Sequence, residues 1–204
     1  MAIIEIDVVS DFWCYIGKRK LESAISLYQK VYPGGKNDVF QVTWRPYYLS
    51  YNTTGRSMEK SELAAVKLAD WSQEKKTAAT KRFKHGGMIG PHTRDAHRLA
   101  FLSRAKPPEV TSALVDKLFE AYHEFEKDIS SLDVLRQVAL DSNVAADAVD
   151  EEAQIFRGKV ASSGVPSYFI QEIHRLDGAQ DAEDFMELFV KIKENSTVMT
   201  ISRP

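Results

Sequence analysis

Cysteine is almost missing from this sequence: Cys14 is the only one in 204 residues. A single cysteine excludes an intramolecular disulfide framework, a four-cysteine zinc site and a two-cysteine redox cycle within one chain. An excess of one charge sign is missing too. With 27 Lys and Arg against 29 Asp and Glu, for a net charge of -2, nothing points to nucleic acid or an anionic membrane as partner. No run approaches the roughly 20 apolar residues of a membrane span. The N-terminus has no basic n-region, and Glu5 and Asp7 interrupt its apolar run, so it does not read as a signal peptide. The C-terminal Ser202-Arg203-Pro204 is not a Ser-Lys-Leu address. The expectation is a cytoplasmic protein in a reducing compartment, with a small molecule as its partner. Internal repeats, low-complexity segments, a Gly-x-Ser-x-Gly elbow and a Walker loop are absent as well. Gly86-Gly87-Met88-Ile89-Gly90 lacks the strand-then-helix setting of a nucleotide loop.

The chain that remains is long enough to bury a real core, as one large domain or one domain carrying an insertion. Its first stretch holds an apolar, β-branched strand from Ile3 to Val9 that breaks at Ser10-Asp11, both good N-cap residues. Leu21, Ala24, Ile25 and Tyr28 then recur at helical spacing until Pro33-Gly34-Gly35. Asp38 to Trp44 alternates as a half-buried strand, stopped by Pro46. Two strands joined through a helix pair in parallel with a right-handed crossover. Tyr47 to Gly55 reads as a loop.

From Met58 to about Gly158 the pattern is helical. Leu63, Val66 and Trp71 belong to a first helix. Thr93 caps a helix carrying Ala96, Leu99, Ala100 and Leu102, and Pro107-Pro108 ends it. Leu114, Leu118, Tyr122 and Phe125 form the next apolar stripe. Ser130 or Ser131 caps another, with Leu132, Leu135, Val138 and Ala139 inward. The basic run from Lys75 to Arg82 with Lys84 reads as a solvated helix face. Strand signals return at Ser167–Ile170 and through Arg175-Leu176 to Asp177-Gly178. Asp181 then opens a last helix with Phe185, Leu188, Phe189 and Ile192 inward. The expected fold is α/β: a sheet domain of residues 1–55 and 159–204, with a helical subdomain of 56–158 inserted.

Four stretches carry possible chemistry. Cys14 in the first turn of the first helix would be favoured as a thiolate by the helix N-terminus, or is a small residue packed under the sheet. Gly164-Val165-Pro166 can present backbone to a ligand. Gly178-Ala179-Gln180-Asp181 can offer N–H groups to a carboxylate, or is a turn capped by Asp181. In His92-Thr93-Arg94-Asp95-Ala96-His97-Arg98 the two histidines point apart on a helix, so a shared metal is not expected. His92 is the better candidate to face a cleft, while His97 and Arg98 fit packing against neighbouring carboxylates.

Taken together, these stretches resemble the DsbA-like branch of the thioredoxin superfamily, in particular FrnE-type proteins. Their relatives are kappa-class glutathione transferases and 2-hydroxychromene-2-carboxylate isomerases. The resemblance is carried by Val8-Val9-Ser10-Asp11, Trp13-Cys14-Tyr15-Ile16-Gly17-Lys18, Trp44-Arg45-Pro46-Tyr47, Thr93 to Leu99, Gly164-Val165-Pro166 and Gly178-Ala179-Gln180. It implies a thioredoxin fold with a helical insertion and a cis Val165-Pro166 loop facing the first helix.

FrnE-type proteins read Ser-Asp, two further residues and then Cys-Pro-Trp-Cys-Tyr-Ile-Gly, whereas Ser10-Asp11-Phe12-Trp13-Cys14-Tyr15-Ile16-Gly17 is three residues shorter. Counted back from Gly17, Asp11 falls on the first cysteine, and by the strand Ser10 falls near it. Cys14 matches the second cysteine and the first is gone. Ser10 or Asp11 stands at the attacking position; the glutathione-using relatives carry a serine there. The resemblance therefore implies a glutathione-dependent isomerase or transferase, without dithiol exchange, acting on an apolar, aromatic or conjugated substrate. The implied glutathione contacts are Trp13, Val165, Pro166, Ala179, Gln180 and Asp181. The implied catalytic set is Ser10, Asp11, Cys14 and His92, and the pocket set is Phe12, Tyr47, Tyr51, Asn52 and Met88. A cofactor-independent acid–base enzyme, a monothiol oxidoreductase using Cys14, and an inactive binding module stand as alternatives. A homodimer is an open possibility for the assembly.

Overall fold

A computed structural model describes residues 1–50, 52–82, 86–150 and 164–201. In chain order its elements are β1 (Ile3–Ser10), α1 (Tyr15–Val31), β2 (Val39–Pro46), β3 (Met58–Glu59), α2 (Lys60–Lys67) and α3 (Gln73–Arg82). There follow β4 (Met88–Ile89), α4 (Arg94–Leu102), α5 (Pro108–His123), α6 (Leu132–Asp141), β5 (Ser167–Ile170), β6 (His174–Asp177) and α7 (Ala182–Ile201). The chain divides into two units, Met1–Tyr47 with Arg157–Pro204, and Tyr48–Phe156.

The first unit is a four-stranded mixed sheet in the order β2-β1-β5-β6. β1 pairs in parallel with β2 from Ile3↔Val39 to Ser10↔Pro46, as expected of two strands joined through a helix. It pairs antiparallel with β5, and β5 with β6. Alternation along β1 turns Ile4, Ile6 and Val8 to one face. There they pack with Leu21, Ala24 and Tyr28 of α1 and with Phe185, Phe189 and Ile192 of α7. Rings interlock within this core: Phe40 meets Phe189 edge-on at 4.9 Å, and Tyr168 meets Phe185 at 4.8 Å.

Beneath these rings lies a closed polar network. The buried Asp38 carboxylate accepts from Tyr28 Oη at 2.9 Å, the Ala2 N–H at 2.5 Å and Lys193 Nζ at 2.6 Å. Burial by itself would raise the Asp38 carboxyl, but these three donors and the Lys193 charge hold it below its ordinary value.

The helical unit departs from the expected pattern in four places. Met58 does not begin a helix; β3 and β4 pair antiparallel as Met58↔Ile89 and Glu59↔Met88. The glycines around β4 are there for packing. Gly87 has φ +72°, and a Cβ on it would fall 2.0 Å from the Glu126 carbonyl oxygen. Pro107-Pro108 does not merely end a helix: α4 stops at Leu102, and Pro108 is the first residue of α5, where its missing N–H costs nothing.

Val66 and Phe125 are exposed, at 68% and 66%, and Trp71 lies outside α2. Leu132 is likewise exposed, whereas Leu114, Leu118, Tyr122, Leu135, Val138 and Ala139 are buried as expected. Phe125 escapes because α5 ends at His123. Lys60 was not anticipated as a core residue. It is buried, donates to the Tyr122 carbonyl at 2.8 Å and sits 3.9 Å from the Tyr122 ring centre. Burial lowers its ammonium pKa, while Glu126 and Asp128 oppose the shift. Lys75 is exposed, in keeping with a solvated face, whereas Lys76 is half-buried and donates to the Ala69 carbonyl at 3.0 Å; Lys84 and residues 151–158 lie outside the described residues.

Candidate active site

The head of α1 is assembled from the end of β1. Ser10 is still in the sheet, in register with Pro46, and its carbonyl accepts the Tyr47 N–H at 3.0 Å. The chain then turns through Asp11-Phe12-Trp13. Cys14 N–H donates to the Asp11 carbonyl at 2.9 Å, and Asp11 Oδ1 accepts the Trp13 N–H at 3.0 Å. This is an Asx-type turn. Its side chain closes its own turn, so the helix starts later than Ser10-Asp11 would suggest.

The cap residue is Cys14, one position before the first turn, and no side chain caps the helix there. Ser10 donates to the Asp11 carbonyl at 3.1 Å, and both residues are buried. Of the two, Asp11 heads the turn three residues before Cys14.

Of the two expectations for Cys14, the thiol fits the packed residue and not the thiolate. Cys14 is partly buried, and burial pushes its pKa up from 9.0 to about 11. An Asp11 backbone hydrogen bond and the Ser10 hydroxyl pull it down, while the Asp11 charge adds to the rise. Desolvation wins over the helix terminus, and at neutral pH the group is a thiol.

Opposite α1 stands the Val165–Pro166 loop, whose peptide bond is cis. It meets the helix at Gly17: a Cβ there would lie 2.5 Å from Pro166 Cγ and 2.5 Å from the Tyr168 hydroxyl oxygen. Glycine is the residue that allows this approach. Behind it, Tyr168 is fully buried, and its hydroxyl has no hydrogen-bond partner among the described residues. An unpaired buried hydroxyl costs about 1–3 kcal/mol. Burial first, and then the nearby Cys14 charge, raise the phenol above its ordinary range.

The turn after β6 is joined to the loop by the Gly178 N–H donating to the Pro166 carbonyl at 2.8 Å. Lys20 of α1 reaches across to it, donating to the Ala179 carbonyl at 3.0 Å and to Asp181 at 2.5 Å. Gln180 folds its amide back onto the Asp177 carbonyl. Asp184 accepts the Asp181 N–H at 3.1 Å, the reciprocal half of a capping box at the start of α7. The Ala179 carbonyl, the Gln180 amide nitrogen and the Asp181 carboxylate and N–H thus have partners within the turn, at the start of α7 or on Lys20.

Ser10, Asp11, Phe12, Trp13, Cys14, Tyr47, Val165, Pro166 and Ala179–Asp181 all belong to the first unit. His92, Asn52 and Met88 belong to the second, and Tyr51 lies outside the described residues. Asn52 is a staple: its amide donates to the Arg56 and Ile89 carbonyls at 2.7 and 3.0 Å and accepts from Thr54. Met88 sits half-buried in β4. His92 Nε2 lies 3.3 Å from Arg94, with a buried Nδ1 that has no partner among the described residues.

Arg98 pairs with Asp95 at 3.1 Å and donates to the Val149 carbonyl at 2.5 Å, and His97 meets the Tyr48 ring edge-on. No group of three or more metal-ligating side chains occurs among the described residues, and no described helix is long and apolar enough to cross a membrane. Three contributors escaped the sequence reading: Gly17, Lys20 and the Tyr168 hydroxyl. A glycine inside a helix and a tyrosine where phenylalanine would fill the core were the available signals.

Residues 5–190 match the family described as the DSBA-like thioredoxin domain. A probable DsbA oxidoreductase from Streptomyces coelicolor has a similar structure, with a TM-score of 0.70 at 19% sequence identity, covering 92% of this chain and 89% of that one. No curated protein sequence matches the chain. The β-α-β … β-β-α order is thus that of a thioredoxin fold carrying a helical insertion.

Proposed function

The chain belongs to the DSBA-like thioredoxin domain family, and from that premise we propose that it is a non-dithiol enzyme of the family. In this reading it is a glutathione-dependent isomerase or transferase acting on an apolar, aromatic or conjugated small molecule. One observation carries the reading. The single cysteine is a neutral, partly buried thiol at the cap of α1, with no second cysteine to resolve a disulfide. Dithiol exchange needs an attacking thiolate and a resolving thiol. A fold that keeps the helix terminus and the loop beside it, yet lacks that pair, suits a thiolate brought by the ligand. Asp11 or Ser10 would orient that thiolate. Val165 would meet the peptide part, and the Ala179–Asp181 turn with Lys20 the far end.

Calorimetric titration with glutathione and with its S-methyl derivative tests this. Saturable heat with glutathione at millimolar concentration, weakened when the sulfur is methylated, is the expected result. No heat with either compound would sink the proposal.

A second reading draws on the position of Asp11, buried at the head of the turn. A carboxylate there can serve as a general base without any cofactor. Turnover without glutathione, abolished by Asp11→Asn, would select it.

A further inference from the structure

The Tyr168 hydroxyl is unexplained by packing. Phenylalanine would keep the edge-on contact with Phe185 at 4.8 Å, and would avoid burying a hydroxyl that has no partner among the described residues. The hydroxyl faces the head of α1, because the missing Cβ of Gly17 would fall 2.5 Å from its oxygen. Cys14 is the cap residue of α1 and Gly17 its third residue, the position whose backbone lies beside a cap side chain. Cys14 is also the group whose charge Tyr168 feels. We propose that Tyr168 is a positioning residue for sulfur chemistry at Cys14, its hydroxyl held as the hydrogen-bond donor to that sulfur whenever it carries negative charge.

The reactive unit is then a thiol–phenol pair and not a cysteine alone. Tyr168 Oη makes no hydrogen bond in the structure, to the Cys14 thiol or to any other described group, and a neutral thiol is a weak acceptor. As a thiolate it is a strong one, and a charge-assisted bond forms from below. The order of ionisation supports this. Burial keeps the phenol protonated to higher pH than the thiol, so the donor is intact when the sulfur loses its proton. The other groups acting on Cys14 are the Asp11 carboxylate and backbone N–H and the Ser10 hydroxyl, all from the segment before α1. From β5, the Tyr168 hydroxyl reaches α1 at Gly17 and is close enough to feel the Cys14 charge.

The test is the pH profile of Cys14 alkylation by iodoacetamide in the full, native chain, read by mass over about pH 7 to 11. Three proteins are compared: the natural chain, Tyr168→Phe, and the chain with 3-fluorotyrosine placed at 168. The phenylalanine variant loses the donor, so its profile moves to higher pH and its rate near pH 9 falls about fivefold or more. The fluorinated phenol is a stronger donor of nearly the same size, so its profile moves to lower pH. Profiles that superimpose, or that move in the same direction, overturn the proposal. If Tyr168→Phe does not fold, the fluorinated protein alone decides, by a shift to lower pH or none. The inference does not depend on glutathione, since alkylation reports the sulfur whether or not that ligand binds.

Discussion

Two tyrosines are buried in the sheet unit, Tyr28 and Tyr168, and they are finished differently. Tyr28, near the C-terminal end of α1, stacks on Tyr32 at 5.1 Å and gives its hydroxyl to Asp38 at 2.9 Å. Asp38 in turn is closed by Lys193 and the Ala2 N–H. Tyr168, at the other end of the same helix, has equal burial and no hydroxyl partner among the described residues. The first end is a polar network with its members satisfied, the arrangement that fixes a core. The second end keeps its polar groups in hand: a neutral thiol, a lone phenol and a helix without a side-chain cap. One fold thus closes its polar groups at one end of α1 and leaves them open at the other.

The largest expected break in this contrast is Asp38→Asn, which removes the buried charge that Lys193 pairs with and costs about 3 kcal/mol in urea unfolding. At the chemical end, Gly17→Ala drives a methyl into Pro166 and the Tyr168 hydroxyl. Overpacking of this kind costs about 1–3 kcal/mol, measurable as a lowered thermal midpoint.

The sharpest comparison is between the tyrosines themselves. Tyr28→Phe loses a paired hydrogen bond and about 1 kcal/mol, whereas Tyr168→Phe removes an unpaired hydroxyl and is neutral or stabilising. Equal losses in the two variants would erase the distinction.

The pH dependence follows the network. The Asp38 carboxyl is held below its ordinary value of 3.8, so its contribution is present above that pH and is lost as pH falls through the depressed folded value. Unfolding free energies measured from neutral pH down to about pH 3 should fall at the acid end in the natural chain and fall less in Asp38→Asn. The smallest effect concerns Cys14. With its pKa at about 11, only ~1 in 10,000 molecules carries a thiolate at neutral pH, and alkylation should rise about tenfold per pH unit until the thiol titrates.

What was legible in the sequence follows from what each residue does alone. Alternation in β1 and the spacing of Phe185, Phe189 and Ile192 report burial directly, and the sheet unit could be read from them. The pair β3 and β4 is two residues a side, too short for any period to show. Val66 and Phe125 fit a helical stripe, but the helices bury a narrower face and α5 ends before Phe125. At the site, Asp11 was legible as a capping residue, but not which backbone N–H it would take; its Oδ1 bonds Trp13 and leaves Cys14 at the cap. The sign of the Cys14 shift was hidden for a related reason. A helix N-terminus is visible in a sequence, whereas burial of the group standing on it depends on residues far along the chain.

The turn from Asp11 to Cys14 also fixes a spacing. Its hydrogen bond, at 2.9 Å, closes residues three apart, and the ends of such a turn lie less than about 7 Å apart at Cα. That is the span a disulfide bridges. A single Asp11→Cys change would seat a second thiol at that span from Cys14, beside a cis-proline loop still in position. Mass analysis after mild oxidation should then show the loss of two hydrogens. Asp11→Cys would thereby supply the second thiol that this sequence lacks.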